Sequence, residues 1–237
     1  MTGAGTPQDA RTPGPAEALP SIAARIEAAA GGREVRLLAV SKTRTAAEIR
    51  RLAERCGQRH FGENYVQEAM AKRADLEDLP LVWHLIGHLQ SNKCREAAET
   101  FDWIESIDRE KLLAPLDRYR APARGPLELL IQVNIDAEPS KSGCRPEQVG
   151  ALASAIAGFP RLRLRGLMAI PAPGDPHRLA AAFAAMRRLF EALRRDHPTV
   201  DTLSMGMSED FELAIAHGAT EVRIGTALFG PRPPRAP

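Results

Sequence analysis

Short apolar segments alternate with longer amphipathic segments along most of the chain, and this alternation constrains the fold more than any other feature. The apolar segments lie at residues 35–40, 59–61, 82–86, 103–106, 127–134, 162–168, 202–205 and 221–224. Helical patterns precede the first segment and follow most of the others, at residues 16–30, 46–56, 65–74, 109–119, 147–157, 179–194 and 210–216. Repeated strand–helix units of this kind are typical of a parallel sheet.

The number of strands predicts an α/β fold, a single TIM-type (β/α)8 barrel at residues 15–230. A length of 237 residues suits one such domain. An open doubly wound sheet is the alternative, because the second, fourth and seventh segments are short and strand ends are hard to place from one sequence. The ends of the chain are rich in Gly, Pro and Ala without apolar periodicity. We therefore expect residues 1–14 to be disordered and residues 231–237 to form a flexible tail.

Charge and cysteine content argue against several classes of function. The 32 Lys and Arg are interspersed with 30 Asp and Glu, for a net charge of +2, which predicts no nucleic-acid surface. Cys56, Cys94 and Cys144 lie far apart, so we expect reduced thiols rather than a zinc site or disulfides. No apolar run approaches the roughly 20 residues of a membrane span, and no signal peptide is visible. These features predict a cytoplasmic protein without membrane contact.

Polar residues collect directly after several predicted strands. In a barrel these loops meet at the carboxyl face, where function resides. Lys42 follows an apolar strand and is a candidate nucleophile toward a carbonyl, provided that burial or nearby positive charge keeps its amine neutral. A solvated lysine at a strand end is the alternative interpretation.

A second group of residues follows the last two strands. Ser208 after strand seven and Gly225 with Thr226 after strand eight could hold a phosphate, although Ser208 could also be an ordinary helix N-cap. Period-2 alternation turns Arg223 toward the barrel interior. Its partner there would be a ring nitrogen of a ligand or a strand carboxylate such as Glu63. These residues and Lys42 would share one face.

Two histidines four residues apart do not predict a metal site. His84 lies in a strand and His88 in a loop, so the helical two-histidine zinc geometry does not apply. We expect one packed or hydrogen-bonded histidine and one residue at the barrel mouth, and we predict no metal.

Several long motifs resemble those of the pyridoxal phosphate homeostasis protein family, whose members are stand-alone barrels similar to the cofactor-binding domain of alanine racemase. The motifs are AVSKT at 39–43, FGENYVQE at 61–68, WHLIGHLQSNK at 83–93, SKSG at 140–143, GLM at 166–168, LSMGMS at 203–208 and RIGTALFG at 223–230. The resemblance covers the chain from about Val35 to Gly230.

The resemblance implies pyridoxal 5'-phosphate (PLP) as the cofactor and assigns roles to matched residues. Lys42 would form the Schiff base and Arg223 would contact the pyridine nitrogen. Ser208, Gly225 and Thr226 would hold the phosphate, and Asn64 and Met168 would lie near the ring. An arginine beside the ring nitrogen disfavours protonation of the pyridine and so weakens the ring as an electron sink.

The sequence leaves open whether the protein is a carrier or an enzyme. Alanine racemases take a second base, a tyrosine, from an additional C-terminal domain, whereas this sequence has seven residues after Gly230. Neither Tyr65 nor Tyr119 is an obvious second base. The leading hypothesis is a monomeric protein that stores, buffers or delivers PLP, with PLP-dependent apoenzymes as recipients and effects on amino-acid and keto-acid balance.

Two alternatives belong to other classes. One is a PLP-dependent racemase or lyase that works with a single base. The other is a phosphate-ligand enzyme that uses Lys42 without PLP. Lys141 in the SKSG motif is read as a solvated loop lysine rather than a second site.

Overall fold

The computed structural model describes residues 14–138 and 141–231. Within them eight parallel strands close into a barrel, in which each strand pairs with the next and β8 pairs with β1. The strands are β1 (Arg36–Val40), β2 (His60–Glu63), β3 (Val82–Leu85), β4 (Trp103–Ile107), β5 (Leu127–Gln132), β6 (Leu162–Met168), β7 (Thr202–Met207) and β8 (Glu221–Ile224). The closed sheet confirms the predicted barrel, and the open-sheet alternative is wrong.

Nine α-helices accompany the strands in the described part of the chain. They are α1 (Pro15–Ala30), α2 (Ala46–Cys56), α3 (Val66–Asp75), α4 (Cys94–Thr100), α5 (Leu113–Tyr119), α6 (Val149–Ala157), α7 (Pro176–Asp196), α8 (Phe211–Ala216) and α9 (Thr226–Phe229). Local signals fix some of their ends. Helix α2 begins at a capping box between Thr45 and Glu48 and ends at Gly57, whose φ of 69° is left-handed.

Sequence patterns missed two helices and shortened two strands. Helices α4 and α9 are short, with seven and four residues, and an apolar period is difficult to recognise in helices of this length. Strand β2 ends at Glu63 rather than residue 61, and β7 ends at Met207 rather than residue 205. Polar and glycine residues indicated loops at both places. A buried ion pair at Glu63 offsets the cost of a carboxylate inside the sheet.

The barrel interior holds a small apolar cluster and a set of buried polar side chains. Trp103, Leu130 and Met168 pack together, separately from the larger core that includes the helices. The Ser204 hydroxyl on β7 donates to Glu105 on β4 at 2.7 Å. Because β4 and β7 are not neighbouring strands, this hydrogen bond crosses the inside of the barrel.

The described helices include none that is long and apolar enough to cross a membrane. Secondary structure runs from Pro15 to Phe229, and the domain limits of 15–230 stay a prediction. The disorder predicted for 1–14 and the tail predicted for 231–237 concern residues outside the described ones, apart from Gly14 and Pro231.

Candidate functional site

Lys42 lies in the turn that follows β1, at the carboxyl end of the barrel. Ser41 before it is fully buried, Lys42 itself is half-buried, and Thr43 after it has a left-handed φ of 64°. The Thr43 N–H donates to Glu68 Oε1 at 2.5 Å, and the Arg44 N–H donates to the Ser41 carbonyl at 3.0 Å. Hydrogen bonds on both sides of Lys42 therefore hold its backbone in one conformation.

A buried ion pair between Glu63 and Lys72 stabilises this turn through Ser41. Glu63 Oε1 accepts from the Ser41 hydroxyl at 2.5 Å and from Lys72 Nζ at 2.7 Å, while Lys72 also donates to the Ser41 carbonyl at 2.8 Å. Burial raises the pKa of Glu63, and the Lys72 charge opposes that rise. Glu63 Oε2 has no hydrogen-bond partner among the described residues. Sequence reasoning missed Lys72, although a lysine among the apolar positions Val66 and Ala69 of α3 was a usable signal.

Arg223 is buried in the barrel and is held by two hydrogen bonds. Its Nη1 donates to Ser204 Oγ at 2.8 Å and its Nη2 to the Ala169 carbonyl at 2.7 Å. Its inward orientation was predicted correctly. The alternative partner was a strand carboxylate such as Glu63. Glu63 itself is occupied by Lys72 and Ser41, and the strand carboxylates whose charges act on Arg223 are Glu105 and Glu221.

The loops after β7 and β8 meet at the same end of the barrel. The Ala227 N–H at the start of α9 donates to Ser208 Oγ at 3.3 Å, which joins the two loops. Gly206 has a φ of 93°, and a Cβ there would lie 2.5 Å from the Ala214 Cβ, so only glycine fits. The alternative N-cap role of Ser208 is wrong, because α8 begins at Phe211 with Asp210 in the N-cap position.

The two residues expected near a ring occupy different depths. Asn64 lines a cavity of about 250 Å³ at the mouth, together with Ile86, Gly87, His88, Gln132, Lys141, Ser142 and Ile170. Met168 is fully buried at the end of β6. A Cβ on Gly87 would lie 2.2 Å from the Asn64 carbonyl oxygen, so this glycine lets the loops after β2 and β3 approach.

The two histidines differ as expected. His84 is fully buried and bonds to Glu105 and His60, whereas His88 lies half-exposed at the mouth, 3.6 Å from Asp108. Burial lowers the pKa of His84 to about 4, which keeps its ring neutral at pH 7. Sequence reasoning missed Glu105 and Glu221. An acidic residue within an apolar strand was the available signal for each.

Comparison with known proteins places the chain in a family. The model of the alanine racemase N-terminal domain matches residues 17–233. The pyridoxal phosphate homeostasis protein of Pseudomonas aeruginosa is 54% identical over 227 residues, which cover 94% of this chain and 97% of that protein. The chain belongs to the pyridoxal phosphate homeostasis protein family. The family member from Escherichia coli K12 is 50% identical over 205 residues, 84% of this chain and 86% of the relative.

Solved structures agree with this membership. PipY of Synechococcus elongatus PCC7942, whose structure has PLP bound, superimposes with a TM-score of 0.80 at 42% identity, covering 91% of this chain and all of PipY, 100%. Alanine racemase of Corynebacterium glutamicum matches with a TM-score of 0.68 at 19% identity, covering 91% of this chain and 61% of the racemase. The second likeness concerns the fold alone, and it agrees with the predicted alanine racemase-like barrel.

Proposed function

We propose that this chain holds PLP as a Schiff base on Lys42 and acts in PLP homeostasis by storing, buffering or delivering the cofactor. One observation carries the proposal. Lys42, Arg223 and the loops with Ser208 follow or lie on β1, β8 and β7, which are consecutive around the barrel. An amine, a guanidinium and a candidate phosphate cradle therefore come together, as PLP requires. The names of the relatives and the PLP-bound PipY structure support it.

Each residue contributes a separate interaction to binding. The Lys42 amine forms a C=N bond with the aldehyde and water is released. Ser208, Gly225 and Thr226 hold the phosphate at the first turn of α9, where helical N–H groups lack intrahelical partners. Arg223 would donate a guanidinium N–H to the pyridine nitrogen. Asn64 and Met168 would contact the ring.

Carrier behaviour follows from the proposed Arg223 contact. PLP supplies carbanion stabilisation when its pyridine nitrogen is protonated. A guanidinium donates its protons and does not accept one, so Arg223 keeps that nitrogen unprotonated and mutes the chemistry. Tyr65, the N-cap residue of α3, is 61% exposed, which does not suit a base held against a ring.

The test of this function is a spectrum followed by a peptide map. Purified protein with added PLP should show an absorption band at the edge of the visible range, and borohydride reduction should abolish this band. The reduced adduct should map to Lys42. Lys111→Ala, at an exposed lysine, is the matched control and should keep the band. Absence of the band, or a wild-type adduct on another lysine, would contradict the proposal. Racemisation of an added amino acid that depends on Lys42 would instead support the enzyme alternative.

Delivery is the finer part of the proposal. We propose a cytoplasmic monomer with residues 15–230 as the PLP-binding domain and with PLP-dependent apoenzymes as recipients. When the PLP-bound protein is mixed with a PLP-dependent apoenzyme, the activity of the apoenzyme should recover. The rate of recovery should equal the rate at which the PLP-bound protein loses its absorption band. Recovery no faster than the apoenzyme achieves with the same total concentration of free PLP would rule out delivery by contact.

A further inference from the structure

The buried polar groups inside the barrel form one connected chain that ends at Arg223. His60 Nδ1 lies 3.0 Å from His84 Nε2, and His84 Nδ1 lies 2.7 Å from Glu105 Oε1. The Ser204 hydroxyl donates to Glu105 Oε2 at 2.7 Å and accepts from Arg223 Nη1 at 2.8 Å. These contacts link β2, β3, β4, β7 and β8 through the barrel interior.

Glu221 lies against this chain with one oxygen unused. Its Oε2 accepts from Arg36 Nη1 at 3.1 Å, but its Oε1 is buried without a hydrogen-bond partner among the described residues. One side-chain atom each of Glu221, Glu105 and His84 lie within 4.8 Å of one another. Two carboxylates this close in a dry interior repel strongly unless a proton lies between them. A proton on Glu221 also gives its unused oxygen a partner.

We propose that Glu105 is the buried counter-ion that positions Arg223 through Ser204, and that Glu221 holds the proton that leaves the two carboxyls with a single charge. Glu105 then accepts from three donors, the His84 ring, the Ser204 hydroxyl and the Glu221 carboxyl, which suits an ionised carboxylate. The inference rests on the proposed function, because Arg223 is the residue assigned there to the pyridine nitrogen. It makes Glu105 a positioning residue.

The surrounding charges agree with one proton on the pair. Burial raises the pKa of both Glu105 and Glu221. The Glu105 charge raises the pKa of Glu221 further, whereas a hydrogen bond with Glu221 lowers that of Glu105, and burial lowers the pKa of His84. The charged or titratable groups around the pair are Arg36 on β1, His60 on β2, His84 on β3, Asp102 before β4, Arg223 on β8 and Asp210 before α8. A divalent cation here would face two guanidinium groups, so a proton is the better occupant.

The experiment compares variants of the full chain in PLP binding. Glu105→Gln should weaken PLP binding by about tenfold or more, because Arg223 loses its buried counter-ion. The absorption maximum of bound PLP should also shift, which a purely structural role would not cause. Glu221→Gln can still donate to Glu105 and should bind more tightly than Glu221→Leu. Glu128→Gln, a half-buried acid on β5 outside this chain of groups, is the matched control.

A second arm uses the protein without PLP. The quantity measured is the free energy of unfolding of wild type minus that of Glu221→Gln. This difference should fall as the pH rises from about 4.5 to about 7, because a carboxyl with a raised pKa stabilises the fold only while its proton is bound. A difference that stays constant over this range would overturn the shared proton.

A separate result would contradict the positioning role of Glu105. Wild-type affinity with an unshifted spectrum in Glu105→Gln would overturn it, and Ser204→Ala, which breaks the same link, decides the matter if Glu105→Gln does not fold. If wild type itself binds no PLP, the proposed function fails, and the PLP-free arm still decides the shared proton.

Discussion

Lys72 controls the geometry at Lys42 although it is not part of the predicted site. Its side chain is 8% exposed and bonds the Ser41 carbonyl, Glu63 and Glu68. Lys42 was selected as a candidate because a lysine directly after an apolar strand is conspicuous. Lys72 was missed because its spacing from Glu68 on α3 is that of an ordinary surface ion pair, which hid the signal that it shares a helix face with apolar residues.

Replacing Lys72 should destabilise the fold substantially. Lys72→Met leaves Glu63 buried without its counter-ion, and we expect a loss of about 3–5 kcal/mol in the free energy of unfolding. Urea denaturation measures the loss, with Lys111→Met at an exposed position as the control. A midpoint for Lys72→Met equal to that of wild type would show that Glu63 is not ionised in the fold.

Gly206, the next-to-last residue of β7, has a backbone conformation that favours glycine. Gly206→Ala should lower stability by about 1–3 kcal/mol, because φ is 93° and the new Cβ would meet Ala214 at 2.5 Å. Gly150→Ala in α6 is the control, since a Cβ there meets nothing within 4 Å. That change should be neutral or stabilising by up to about 1 kcal/mol. Equal denaturation midpoints for the two variants would contradict the strain argument.

At the scale of elements, the sequence located all eight strands because strands buried on both faces produce apolar runs. It could not place their ends, since the end of a parallel strand depends on its neighbours. Glu63 continues β2 because it pairs in register with Leu85 of β3 and forms an ion pair with Lys72 of α3. The interior acids were missed although each interrupts an apolar strand, because partners such as Arg36 for Glu221 and Ser204 for Glu105 lie far away in the sequence.

The capping box of α2 fixes the far end of the Lys42 turn. Thr45→Ala should cost about 1 kcal/mol of stability, because the side chain accepts from the Glu48 N–H, whereas Thr45→Ser keeps that bond and should cost little. Urea denaturation checks both. Thr45→Ala should also accelerate PLP dissociation. Unchanged stability in Thr45→Ala would show that the Glu48 half of the box suffices.

At the scale of the whole molecule, neutral histidines inside the barrel link stability to pH. Burial lowers the pKa of His60 to about 3 and of His84 to about 4, from 6.5 in the unfolded chain. The unfolded state therefore binds protons that the fold does not. This contribution is complete above pH 6.5 and is lost as the pH falls, opposite in sign to that of Glu221.

The histidine contribution can be separated by substitution. His60→Gln should melt with a weaker acid dependence than wild type between pH 6.5 and 4.5, because one of the two histidine rings, the half-buried one, no longer titrates. His177→Gln, at the exposed start of α7, is the control. Parallel curves for wild type and His60→Gln in calorimetric scans across this range would show that His60 is protonated in the fold.

The pairing of β8 with β1 has a consequence for the order in which the protein becomes competent. Lys42 is among the first residues of the barrel to be synthesised, while Arg223 and the loop of Thr226 are among the last. A growing chain on the ribosome can thus expose the lysine long before the groups that would retain a ligand beside it exist. All these groups can hold a ligand together only after β8 has paired with β1. Tight ligand binding would therefore indicate that the barrel has closed.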